Sequence, residues 1–156
     1  MQHKEMIMWS YVNSLTRLIA ILALVATAGG CVGNTSGQMT LPEATARQSA
    51  YFVERHARDE RDLASTIAER MRARGLSAVA GTATDRKPEH SYVVTYVDRW
   101  FWDMRMYLAD LRIEVRDAKD QSIVGYGQSS QSSLKAMGQT HVDIVDTALD
   151  QLFGPH

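Results

Sequence analysis

Between Tyr107 and Arg116 apolar and charged residues alternate, with Tyr107, Ala109, Leu111, Ile113 and Val115 at one parity and Asp110, Arg112, Glu114 and Arg116 at the other. Successive side chains on a strand point to opposite faces, so this pattern predicts a half-buried antiparallel strand with one face in water. A chain holding such a strand must supply neighbours to pair with it and apolar helices to cover its dry face.

Both are legible. From Glu60 to Arg74 the residues Leu63, Ala64, Ile67, Ala68 and Met71 recur at spacings of three and four, which predicts a helix with one buried stripe. Asp59 is placed to cap it and Gly75 to stop it. A second helix is expected from about Leu134 to Phe153, with Met137, His141, Ile144, Val145, Ala148, Leu149 and Leu152 inward and Gly154-Pro155 ending it. Strands are expected at Ser49–Glu54, Leu76–Ala80, Ser91–Phe101 and Ser122–Gln128, where Gly125 and Gly127 mark a bulge or a close backbone approach. Residues 81–90, GTATDRKPEH, read as a loop, and Trp102–Met104 and Asp117–Gln121 as turns. This order predicts an α+β fold, a mainly antiparallel sheet of about four to five strands with two helices packed on one face.

The N-terminal region has a different character. Leu18–Ala28 is an apolar run well short of the roughly 20 residues an α-helix needs to cross a bilayer. Lys4 and Arg17 precede it, and the small residues Ala28-Gly29-Gly30 lead into Cys31, the single cysteine. Charge, apolar core and small-residue site are the parts of an export signal. Residues 28–31 resemble the lipobox of bacterial lipoproteins, with Ala28 where that motif most often has leucine. The resemblance implies cleavage after residue 30 and lipid on Cys31. The alternatives are a plain signal peptide with an incidental thiol, or a retained N-terminal anchor; Met6 and Met8 are alternative starts. By the same resemblance, Val32 rather than aspartate after the cysteine implies the outer membrane, facing the periplasm.

Removal of residues 1–30 from a chain of 156 leaves 126, enough for one modest core. The domain organisation read this way is a signal at 1–30, a flexible tether at 31–47 and a folded domain at 48–156. The small, polar tether would span roughly 20 Å as a random coil. Without the signal, 15 basic residues face 17 acidic ones, which is no electrostatic footprint for nucleic acid. The strand and helix order, the signal and the run from Tyr96 to Asp103, YVDRWFWD, together resemble small Gram-negative envelope lipoproteins of unknown function, over most of residues 31–153.

Aromatic density singles out one hairpin. Tyr92, Val94, Tyr96, Asp98, Trp100 and Trp102 share one strand face, and Val93, Thr95, Val97, Arg99 and Phe101 the other. The candidate partner-binding residues are Tyr96, Asp98, Trp100, Trp102 and Asp103, set against the reading that these aromatics complete the core. Asp98, Asp103 and Asp110 offer carboxylates, with no nucleophile beside them. Asp103 is expected to accept backbone bonds in its turn and Asp98 to pair with Arg99 or Arg105. Asp143, Asp146 and Asp150 are expected on a solvated helix face, and His56, His90, His141 and His156 lack metal-site spacing. No phosphate loop, dinucleotide fingerprint or nucleophile elbow is present, and no catalytic residue, metal or cofactor is expected. The expected function is a lipid-anchored, non-enzymatic envelope accessory, held to the membrane through Cys31 and working through protein contact. The alternative is a carrier or sensor for a small apolar or lipid ligand held between sheet and helices.

Overall fold

The computed structural model describes residues 34–155; residues 1–33, with the expected signal at 1–30 and Cys31, and His156 lie outside the described residues. The elements in order are β1 (Thr35–Met39), α1 (Glu43–Gln48), β2 (Ala50–Glu54), α2 (Leu63–Ala73), β3 (Ser77–Gly81), a 3-10 turn (Ala83–Asp85), β4 (Tyr92–Asp103), β5 (Arg105–Asp117), β6 (Ile123–Ser130), α3 (Ser133–Ala136) and α4 (His141–Phe153). The strands form one sheet in the order β1-β6-β5-β4-β2-β3.

The fold is α+β, and its sheet has six strands rather than four to five. The addition is β1, which lies in the stretch read as tether. It pairs antiparallel with β6 from Thr35↔Ser129 to Met39↔Gly125, and beyond the strand the Ser130 N–H donates to the Asn34 carbonyl at 2.9 Å while the Asn34 N–H donates to the Ser130 hydroxyl at 3.1 Å. α1 follows and buries Ala46, so residues 35–48 belong to the folded domain. Their polar composition hid this, because an edge strand needs few apolar residues to pair. The β2–β3 and β2–β4 pairings are parallel and the other three are antiparallel.

Alternation puts Tyr51 and Val53 of β2, Tyr92, Val94 and Tyr96 of β4, and Leu111, Ile113 and Val115 of β5 into one core with Leu63, Ile67 and Met71 of α2 and Ile144, Val145, Leu149 and Leu152 of α4. Gly75, at φ 78°, stops α2 as expected. Asp59 does cap α2, although the helix begins at Leu63: its two oxygens accept from the N–H of Leu63 at 2.8 Å and Ala64 at 2.9 Å. Gly127 is the close approach: a Cβ there would collide with the Ala148 carbonyl, so only glycine lets α4 lie this near β6.

Two expectations are corrected. The single C-terminal helix is two, because Thr140 and Asp143 form a capping box that starts α4 afresh after Gly138. Met137 and His141, expected inward, are exposed as a result. On β5, a register shift opposite Arg99 and Trp100 places Leu108 across from Trp100 and Tyr107 across from Phe101. Leu108 and Ala109 are both buried, and Tyr107 leaves the core parity for the opposite face, where its ring lies 6.5 Å from that of Phe101.

Candidate functional site

The sequence candidates lie along β4, and the start of α2 decides what becomes of them. The Tyr96 hydroxyl donates to Asp59 Oδ2 at 2.7 Å, so one carboxylate caps the helix and holds the strand. Burial opposes the Asp59 charge, but the N–H of Ala64, the Tyr96 hydroxyl and the N–H groups of Leu63 and Arg61 outweigh it and hold the carboxyl below its usual range. Burial, and then the bond to Asp59, pushes the Tyr96 phenol well above its usual range. The phenol stays protonated and the carboxylate ionised across neutral pH, which suits a fixed brace and not a proton shuttle.

One step along the same face, Asp98 uses both oxygens. Oδ1 lies 2.9 Å from His56 Nε2, and Oδ2 accepts from Trp100 Nε1 at 2.7 Å. The His56 ring lies 4.8 Å from that of Tyr96, and the Arg61 guanidinium sits 4.7 Å above the Trp100 ring. Asp98 therefore pairs with neither Arg99 nor Arg105. Arg99 is on the opposite face, bonded to its cross-strand partner Asp110, and Arg105 donates to the Gln139 carbonyl at 3.3 Å. Asp103, at the tip, accepts no backbone bond among the described residues. The five proposed binding residues thus divide: Tyr96, Asp98 and Trp100 are bonded or packed inward, and Trp102 and Asp103 face solvent.

Beyond Asp98 the hairpin outruns its neighbours. β2 pairs with β4 only at Tyr92–Val94, and the β5–β6 pairing begins at Asp110↔Ser130. On this projecting end Trp102 is 71% exposed and Met104 90%, with Phe101 and Met106 also exposed; Met137, just past α3, is 65% exposed. Met104, Tyr107, Ala136 and Met137 line a shallow cleft of about 470 Å³. Met104 and Met106 were not singled out in the sequence, although Trp102-Asp-Met-Arg-Met106 carries a trace of them in its apolar residues around a turn, and Met137 was expected inward.

Away from the hairpin, Asp146 and Asp150 are not solvated as expected. Arg74, whose side chain is only 4% exposed, donates to Asp146 Oδ1 at 2.7 Å and Asp150 Oδ1 at 2.6 Å, and Arg70 donates to Asp146 at 2.8 Å. This network clamps α2 to α4. Although burial opposes its charge, the bonds from Arg70 and Arg74 hold the Asp146 carboxyl below its usual range. Among the described residues no group of three or more His, Cys, Asp or Glu is placed to hold a metal ion, and no helix is long and apolar enough to cross a membrane.

No family model matches the chain, and no curated protein does. Solved structures similar in fold include two of PelC. One is a single-substitution variant of the PelC dodecamer from Paraburkholderia phytofirmans, with a TM-score of 0.58 and 14% identity over 80% of this chain and 99% of that one. The other is the PelC dodecamer from the same organism, with a TM-score of 0.57 and 15% identity over 77% of this chain and 97% of that one. At such identity the likeness is one of fold: this α+β arrangement, near the full length of a PelC subunit.

Proposed function

We propose that the chain is a lipid-anchored outer-membrane lipoprotein whose periplasmic domain works without catalysis, through contact with protein partners of the envelope. The observation that carries this reading is the state of the two sheet edges. β1, Thr-Ser-Gly-Gln-Met, and β3, Ser-Ala-Val-Ala-Gly, contain no charged residue and no proline. Charges and prolines are the usual devices that stop an edge from pairing with another chain. Arg72, donating to the Ala78 carbonyl at 2.9 Å, is the one side chain bonded to β3 among the described residues.

The similar solved structures are dodecamers, which supports a fold that tolerates chain-to-chain assembly and makes a second copy the first partner to test. Between sheet and helices, where the alternative reading would hold an apolar ligand, Ile67, Met71, Ile113 and Leu149 are fully buried and occupy the space. Photo-cross-linkers at Thr35 and Val79, both exposed, test the proposal in the native envelope. The expected result is cross-linked species from both positions, lost when Thr35→Lys and Val79→Lys charge the edges, with unchanged circular dichroism. Recovery of uncross-linked monomer at every growth phase overturns it.

A further inference from the structure

We infer that the projecting end of the β4–β5 hairpin is seated in the membrane interface, with the lipid surface itself as its partner; this rests on the reading of Cys31 as the lipidated residue. The register supplies the first argument. Thr35 pairs with Ser129, Ser129 with Leu111 and Leu111 with Asp98, so the start of β1 and the root of the projection lie in one row across the sheet. From that row the hairpin runs on to Asp103 and Met104, in the direction from which the chain enters β1.

Chain length supplies the second. Four peptide steps separate Cys31 from Thr35, a reach of at most about 14 Å at ~3.5 Å per step. From Asp98 to Asp103 the hairpin advances five residues, about 17 Å at ~3.3 Å each. A lipid on Cys31 would therefore hold the Thr35 row roughly as far from the membrane as the tip projects beyond it. The folded state of β1 matters here, because a tether running to residue 47 would have lifted the domain clear.

Surface chemistry chooses the occupant. Behind the exposed charged pair Asp103 and Arg105 that flanks Met104, the tip carries apolar residues on both sides, with Trp102 and Met106 paired on one and Phe101 and Tyr107 on the other. A docked protein covers one side of a ribbon, whereas a lipid interface surrounds it. Two cations are available near this end for headgroup phosphates: Arg105 beside the turn, which also donates to the Gln139 carbonyl, and the exposed Lys135 on α3. Long cationic side chains and indole rings are the groups that settle at that depth. At the turn itself Met104 holds φ 58°, a conformation that favours glycine or asparagine, while presenting an almost fully exposed thioether.

The test uses the lipidated protein extracted from the envelope and reconstituted into phosphatidylethanolamine–phosphatidylglycerol vesicles. An acylated Cys31 has no thiol, so Met104→Cys introduces the sole position for an environment-sensitive fluorophore. Lys119→Cys, exposed in the turn at the opposite end of β5, is the control, and Trp102→Cys a second tip position. The expected result is one label per chain, flotation with vesicles, and at least about twofold quenching by acyl-chain spin-labelled lipid at 104 and 102 but not at 119. One label and flotation with no quenching at the tip overturns the inference and leaves the anchor standing. Two labels per chain without flotation overturns the anchor and the inference with it. Because the vesicles contain no other protein, a tip reserved for a protein partner gives the unquenched result.

Discussion

Within the sheet, from Tyr92 to Asp98 and from Leu111 to Asp117, the hairpin gives its side chains to internal partners; beyond it, from Arg99 to Asp110, many of the same residue types are left to solvent. Tyr96 and Asp98 are bonded to Asp59, His56 and Trp100, while Trp102, Met104 and Met106 stand free. The difference is not one of composition, since tyrosine and aspartate occur in both halves. It follows from support. The inner half has β2 and β6 beside it and the start of α2 above it, whereas the outer half is supported near its root, by Gln131 on the Leu108 and Ala109 carbonyls and Arg61 over Trp100, and toward its tip by α3 and the Arg105 bond to Gln139. Chemistry-bearing residues in the inner half therefore brace the fold, and the surface available for contact lies where no reactive group is assembled.

The sharpest way to break this comparison is to truncate one large apolar side chain in each half. Leu111→Ala empties a fully buried site and is expected to destabilise the domain by about 3 kcal/mol, read from the denaturant midpoint at constant slope. Met106→Ala, in the outer half, is expected to fall within about 0.5 kcal/mol of wild type. Comparable losses from the two would mean that the tip packs against the rest of the domain. A smaller effect separates the roles of polar groups. Asp98→Ala removes the acceptor shared by His56 and Trp100 and should cost about 1–3 kcal/mol, with Asp98→Asn recovering part of it through its remaining carbonyl. A variant of full stability would return Asp98 to the list of residues kept for contact.

Elements with strong periodicity were readable from the sequence because burial writes itself into spacing: the stripe of α2, the parity of β5 from Leu111 onward, the stop at Gly75. β1 was not readable, since a polar edge strand is specified by its partner β6 and by the room that Gly37 and Gly127 leave for α4, not by its own pattern. The break between α3 and α4 was written in Thr140-x-x-Asp143, but the apolar residues on either side masked it. Among site residues, Tyr96, Asp98 and Trp100 were found for their type and misread in role. The partners that consume them, His56, Asp59 and Arg61, lie about 40 residues away and meet them only through the β2–β4 pairing. The register shift that turns Tyr107 to the opposite face and buries Leu108 has no local signature. Tertiary context therefore decided the site more than it decided the elements.

Met104→Gly gives the smallest effect and the finest test of the two halves. Holding a non-glycine residue at φ 58° costs about 1–2 kcal/mol, which glycine removes, while the greater freedom of glycine in the unfolded chain returns roughly 0.5–1 kcal/mol. The difference favours the variant by up to about 1.5 kcal/mol, because a side chain 90% exposed has almost no packing to lose. The expected outcome is a slightly raised denaturant midpoint, together with weaker quenching by spin-labelled lipid at a fluorophore on Trp102→Cys. Higher stability with poorer seating means that methionine is retained at a strained turn for what it touches outside the domain. Lower stability would mean that Met104 contributes to folding after all, and the outer half would then belong to the same class as the inner one.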